Sequence, residues 1–176
     1  MYANFNLKLG SFNIHGQGNK NQIKLRKIHN LFTKGRFDIL LLQETRTDGT
    51  EKEFKKWQKI FHSNQIYLTN FGTRSVGAGI VIRDEETFKV HQCINDPQGR
   101  YVAVVGDHEE GKFLILSFYS PSVENEIKNF VINSICTQLT SMDVDLPQFL
   151  IIGGDSNTVF SNLDKEGGNP RLKIKQ

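Results

Sequence analysis

Sulfur is scarce in this chain: two cysteines in 176 residues. Cys93 and Cys136 stand 43 positions apart, and neither belongs to a C-x-x-C spacing. That pattern argues against a zinc site and against a disulfide framework. Reduced thiols of a soluble, intracellular protein are expected instead. Long apolar runs are also missing. The opening MYANFNLKLGSFNI has no basic segment followed by an apolar stretch, so no secretory signal is read. No run approaches the about 20 apolar residues that a membrane helix needs, and no membrane partner is expected. Nor is one sign of charge in large excess. Lys and Arg total 22 against 19 Asp and Glu, a net charge of +3. This mild basicity is compatible with a polyanionic partner without specifying one. No internal repeat is present.

What is there suits one compact domain. Hydrophobic residues make up 38% and charged residues 23%, and the length is enough for a sizeable core. Residues 7–14 (LKLGSFNI) read as a first strand. A helix opens at Asn19-Lys20-Asn21, shows Leu25, Ile28, Leu31 and Phe32 on one face, and is expected to stop at Gly35. FDILLLQ (37–43) is apolar enough for a strand buried on both faces. A second helix over 50–62 carries Phe54, Trp57 and Phe61 on one side. Strands follow at 66–70, 80–82, 88–95, 100–106 and 112–119, with a hairpin turn at 107–111. Ser122 to Met142 reads as a third helix. Ser122 is its expected N-cap, and Ile127, Phe130, Val131, Ile135 and Leu139 form its buried face. Pro147 precedes the last clear strand, 149–152. Many strands with three helices predict an α/β layered domain, sheets inside and helices outside.

Four segments share one layout: an apolar strand that ends in polar residues just before a loop. These are FNIHG ending at Asn13, LLLQET at Glu44, LSFYSPS at Tyr119, and LIIGGDSN at Asp155 and Asn157. Strand ends beside loops are where rigid scaffolds present reactive groups. Glu and Asp are hard oxygen ligands for a divalent cation. Asn and Tyr can donate to a phosphate oxygen without adding charge. Singly, none of them decides the chemistry. Asn13 also fits a turn, Glu44 a surface carboxylate, Tyr119 a packed aromatic beside Pro121, and Gly153-Gly154-Asp155 a plain turn.

In order, however, SFNIHG, DILLLQETR, GAGIVI, GRYVAVV, FLILSFYSPS and FLIIGGDSN resemble successive motifs of the endonuclease/exonuclease/phosphatase superfamily, over residues 7–157. The segment SNLDKEGGNP is most similar to the branch found in LINE-type non-LTR retrotransposons, whose endonuclease domains are apurinic/apyrimidinic-like. The resemblance implies a four-layered α/β (α+β) sandwich of the deoxyribonuclease-like type. It implies a Mg2+- or Mn2+-dependent phosphodiesterase that nicks DNA, in the nucleus at least transiently. It also implies roles. Glu44 matches the metal-binding glutamate, and Asn13 the asparagine that helps place the metal and its network. Tyr119 matches the tyrosine on the scissile phosphate, Asp155 the aspartate on the attacking water, and Asn157 the asparagine on the phosphate. Arg46, Arg74 and His15, in loops, are candidate contacts to the nucleic acid. YSPS departs from the common YxPN pattern at Ser122.

The superfamily pattern also has a later Asp–His motif. This chain runs 19 residues beyond Asn157 without one, and all five of its histidines precede that point. The expectation is a domain over 1–157, incomplete at its C-terminus, with 158–176 as loop or tail where it is cut. Weak or no cleavage by this chain, an unpaired sheet edge and exposed apolar surface follow from that expectation. Besides DNA, the missing segment or a downstream reverse transcriptase domain is a candidate partner. Two alternatives stay open: a catalytically dead module that binds nucleic acid or protein, and a phosphatase of the same fold acting on inositol or lipid phosphates.

Overall fold

The computed structural model describes residues 6–16, 22–62, 64–69, 76–83, 87–140 and 147–158. Two four-stranded sheets pack face to face. The first has the order β1 (Leu9–Asn13), β2 (Ile39–Gln43), β4 (Ala78–Ile82), β3 (Gln65–Leu68). The second has the order β5 (Phe88–Asn95), β6 (Tyr101–His108), β7 (Gly111–Tyr119), β8 (Phe149–Asp155). Each sheet is mixed, with one parallel pair: β1 with β2, and β7 with β8. This is the four-layered α+β sandwich that the family resemblance implies.

The layers follow from where apolar side chains must go. Ile39, Leu41, Ile80 and Ile82 face Val102, Val104, Phe113 and Ile115 between the sheets. Leu40, Leu42 and Val81, on the opposite side of the same strands, are covered by α1 (Ile23–Gly35) and α2 (Glu51–Phe61). β2 is therefore buried on both faces, which is why its sequence does not alternate. Tyr101, Ala103, Leu114 and Leu116 face Phe130 and Ile135 in the outermost layer.

Thr50 is the N-cap of α2, and its hydroxyl accepts the Glu53 N–H at 3.2 Å. Thr50→Ala is expected to cost about 1 kcal/mol, read as a lower midpoint in urea unfolding with an unchanged slope.

Several local expectations need correction. Gly35 is still helical, and the left-handed residue that ends α1 is Arg36, with φ 50°. The Phe37 ring closes over Gly35, where a Cβ would lie 2.4 Å from its edge. Leu31 is exposed rather than on the buried face. The Asn19-Lys20-Asn21 start lies outside the described residues. The turn between β6 and β7 is only Glu109-Glu110.

The third helical region is not one regular helix. It runs as α3 (Glu124–Asn129), a π-helical stretch (Phe130–Cys136) and α4 (Thr137–Thr140). The wider π turn brings residues five apart onto one face. Phe130 and Ile135 are both buried in this way, while Val131 turns outward. Ser122 is not the N-cap. Val123 holds that position and makes no side-chain cap bond.

β1 and β8 close the same edge of the sandwich, where β8 packs across both β1 and β2. On the other side of β8, Leu150 and Ile152 are exposed.

Candidate functional site

The two parallel pairs bring chemistry together. Parallel pairing sets Asn13 beside Gln43 at the C-terminal ends of β1 and β2, and Tyr119 beside Asp155 at the ends of β7 and β8. Because β2 and β1 pack against β7 and β8, both ends open on one cleft. Beneath it lies a polar seam inside the sandwich. Gln43 is 2% exposed and its Nε2 donates to Ser11 Oγ at 3.2 Å. Ser117 Oγ, fully buried, donates to the Leu42 carbonyl at 3.2 Å.

Asn13 is the hub of the site. Its Nδ2 donates to Glu44 Oε1 at 2.9 Å and to Asp155 Oδ2 at 2.8 Å. Its Oδ1 accepts the His15 N–H at 3.0 Å. The amide orientation is fixed by charge: the reverse would turn an oxygen toward two carboxylates. One neutral side chain thus ties residues 142 positions apart across the two sheets.

Glu44 is 7% exposed, which pushes its pKa up. Hydrogen bonds from Asn13, Arg46 and Tyr119 and the charge of Arg46 outweigh that burial, and the carboxyl sits below the usual glutamate range. It is held as the anion. Its Oε2 pairs with the Arg46 guanidinium and lies 3.6 Å from His15 Nδ1. Asp155 has both oxygens engaged, since its Oδ1 accepts the Asn157 N–H at 2.9 Å. Asn157 turns its amide onto the Ser120 carbonyl, and the Ser120 N–H donates to the Asp155 carbonyl at 2.8 Å.

The backbone here is unusual. Six described residues other than glycine have positive φ, and four of them are at this site: His15 (46°), Glu44 (51°), Arg46 (49°) and Asn157 (49°). Each such conformation costs roughly 1–2 kcal/mol for a residue with a Cβ. These left-handed residues follow β1, β2 and β8 within three residues of each strand end and turn the chain there.

Asn13, Glu44, Tyr119, Asp155, Asn157, Arg46 and His15 are all brought to this cleft. Arg74 lies outside the described residues. The sequence reading missed Gln43, Ser11, Ser117 and Ser120. For Gln43, Ser11 and Ser117 the signal was a polar residue within an otherwise apolar strand, whereas Ser120 follows the end of β7.

The donors suit a hard cation. Among the described residues no group of three or more His, Cys, Asp and Glu could hold a metal. The set is two carboxylates, one of them buried and held ionised, with Asn13 between them. Magnesium is commonly held by one or two carboxylates while it keeps several waters, so the residues fit it. They do not fit a closed zinc site.

No family model matches the chain. Solved structures do. The protein is similar to an AP endonuclease from Archaeoglobus fulgidus (TM-score 0.62, 17% identity, 89% of this chain and 60% of that one). It is similar to TDP2 of D. rerio, complexed with a single-strand DNA product (TM-score 0.61, 14% identity, 87% and 61%). It is also similar to the endonuclease domain of TRAS1, a telomere-specific non-LTR retrotransposon (TM-score 0.56, 17% identity, 85% and 60%). The chain has the endonuclease/exonuclease/phosphatase fold, a nuclease-like fold, and resembles the retrotransposon endonuclease domain among others. It spans about three-fifths of the length of each of these three structures.

Proposed function

We propose that this chain is a divalent-metal-dependent endonuclease domain that hydrolyses DNA phosphodiester bonds, nicking target DNA in the nucleus for retrotransposition. The observation that carries the reading is the Asn13 bridge. It joins one carboxylate from each sheet at the mouth of two parallel strand pairs. Glu44 would hold the cation, Mg2+ or Mn2+, with Asn13 fixing the carboxylate that does so. When bound, such an ion neutralises phosphate charge and polarises the P–O bond.

The remaining work falls to the protein. Asp155, steered by Asn13 and by the Asn157 N–H, is the group positioned to accept a proton from the attacking water. Tyr119, paired with Asp155 at the ends of β7 and β8, would donate to a non-bridging oxygen. Asn157 would release the Ser120 carbonyl to do the same. Arg46 and His15, partly exposed beside the carboxylates, would contact the DNA backbone. Weak cleavage is proposed for these 176 residues taken by themselves.

The test is nicking of supercoiled plasmid with enzyme in excess. Slow Mg2+-dependent nicking is expected, abolished by a chelator and by Glu44→Gln or Asp155→Asn. Loss of about 100-fold or more in each variant is the scale for removing a group that acts in the transition state. Nicking that survives both substitutions sinks the assignment. So does hydrolysis of inositol or lipid phosphates with none of DNA. Salt-sensitive DNA binding with no cleavage under any metal would mark a binding module instead.

A further inference from the structure

The Glu44 carboxylate has one oxygen committed and one contested. Oε1 takes the Asn13 amide. Oε2, the oxygen left for a cation, already faces two basic groups: the Arg46 guanidinium, paired with it directly, and His15 Nδ1 at 3.6 Å. Arg46 is not there by the chance swing of a surface side chain. Its N–H donates to the Val76 carbonyl at 3.1 Å, and its φ of 49° turns the side chain back toward Glu44, two residues earlier. Its stem lies against Gly16, where a Cβ would come within 2.7 Å of Arg46 Cδ. The Gly16 N–H in turn donates to the Glu44 carbonyl at 2.7 Å. The loop after β1 therefore seats the arginine and its carboxylate together. The Arg46 side chain is nevertheless 40% exposed, so its outer end has room to leave.

We propose that Arg46 is a resident counter-cation that competes with the divalent ion for Glu44 Oε2, so that metal loading and release of the guanidinium are one exchange. This rests on the metal-dependent reading of the site above. In the metal-free protein the guanidinium keeps a nearly buried carboxylate ionised and in place, which spares the site the cost of an uncompensated charge. When a divalent ion arrives, its charge repels the guanidinium beside the same oxygen, and Arg46 swings outward. There its planar fork suits a phosphate of the incoming strand. Metal affinity is then set low by design, and rises when a polyanion holds the arginine away. Binding of DNA and of the metal should be mutually reinforcing, as linkage requires.

The experiment follows free Mn2+ by electron paramagnetic resonance during titration of metal-stripped protein. It compares wild type, Arg46→Gly, Arg46→Lys and Glu44→Gln. Glycine is the chosen truncation because it accepts the positive φ of this position, which offsets part of the stability lost with the ion pair, and thermal unfolding checks that the variant is folded at the titration temperature. Arg46→Gly is expected to bind Mn2+ about 10-fold more tightly, the scale of one unit charge removed a few ångströms away under partial solvent screening. Arg46→Lys, which keeps the charge but not the fork, should fall between. Glu44→Gln should not bind. If Arg46→Gly binds Mn2+ no better than wild type while Glu44→Gln loses it, the metal site stands and the competition is wrong. If no variant binds Mn2+, or if Glu44→Gln binds it as wild type does, the metal reading of Glu44 itself fails and the exchange falls with it.

Discussion

Asn13→Asp is expected to be the most damaging near-isosteric change in the site. It removes both N–H donors and sets a third carboxyl within hydrogen-bond distance of Glu44 and Asp155. Shape is almost unchanged, so the effect is electrostatic. Two bonds to charged acceptors are lost, and like charges in a half-buried cleft repel. A loss of about 2–4 kcal/mol near neutral pH is expected, against about 1–3 kcal/mol for Asn13→Ala, which only leaves the carboxylates unbridged.

The pH dependence separates this account from a packing defect. In the wild type, Glu44 titrates below its usual range. Its contribution to stability is present above the unfolded value of about 4.3 and is lost as pH falls through the lower folded value. The introduced carboxyl behaves oppositely. Crowded by two anions, its folded pKa is raised, so its penalty applies above that pKa and is relieved as pH falls. Denaturant unfolding between about pH 8 and pH 5 should therefore show the gap between variant and wild type narrowing on acidification. A gap that stays constant, or widens, would refute the bridge as an electrostatic device. Nicking should be lost in the variant across the whole range, because both carboxylates lose their orientation.

The polar strand ends at Asn13, Glu44, Tyr119 and Asp155 were visible in the sequence, but it was the family resemblance that grouped them as one site. The structure brings them to one rim because parallel pairing aligns the C-terminal ends of β1 with β2 and of β7 with β8. The layering was legible more directly. The unalternating ILLLQ of β2 announced a strand covered on both faces. What could not be read were features that depend on two distant segments at once. Gln43 looks like an ordinary strand end until Ser11 and Ser117 are seen to approach it from either side. The Arg46–Glu44 pair depends on the loop at Gly16. The π-helical stretch depends on the outer face of the second sheet, which demands Phe130 and Ile135 together although they are five apart. Ser122 fits a helix start by local rule, yet the chain begins its helix two residues later, without a capping side chain.

The Gly153-Gly154 pair gives the sharpest case, and the largest expected effect on the fold at the site. By composition it reads as a turn, and the Asp155 carboxylate does accept the Asn157 N–H in the manner of an Asx turn. The two glycines are nonetheless strand residues, paired with Ser117 and Phe118 of β7. They lack side chains for different reasons. A Cβ on Gly153 would lie 2.5 Å from Leu41 Cδ1, across the interface between sheets. A Cβ on Gly154 would lie 2.1 Å from the Phe118 carbonyl oxygen, within the sheet itself. Leu41 can change rotamer to make room, at a cost of about 1–2 kcal/mol. A paired backbone carbonyl cannot move without opening the ladder that carries Tyr119 and Asp155. Gly153→Ala is therefore expected to fold with a modest loss and to keep measurable nicking. Gly154→Ala is expected to lose about 3 kcal/mol or more and to displace Asp155 from Asn13, abolishing nicking even under conditions where the protein remains folded. Urea unfolding of both variants, with amide exchange read on β7 and β8, checks the ordering. Equal losses in the two, or protection of β8 preserved in Gly154→Ala, would mean that β8 has slack its close pairing with β7 does not suggest.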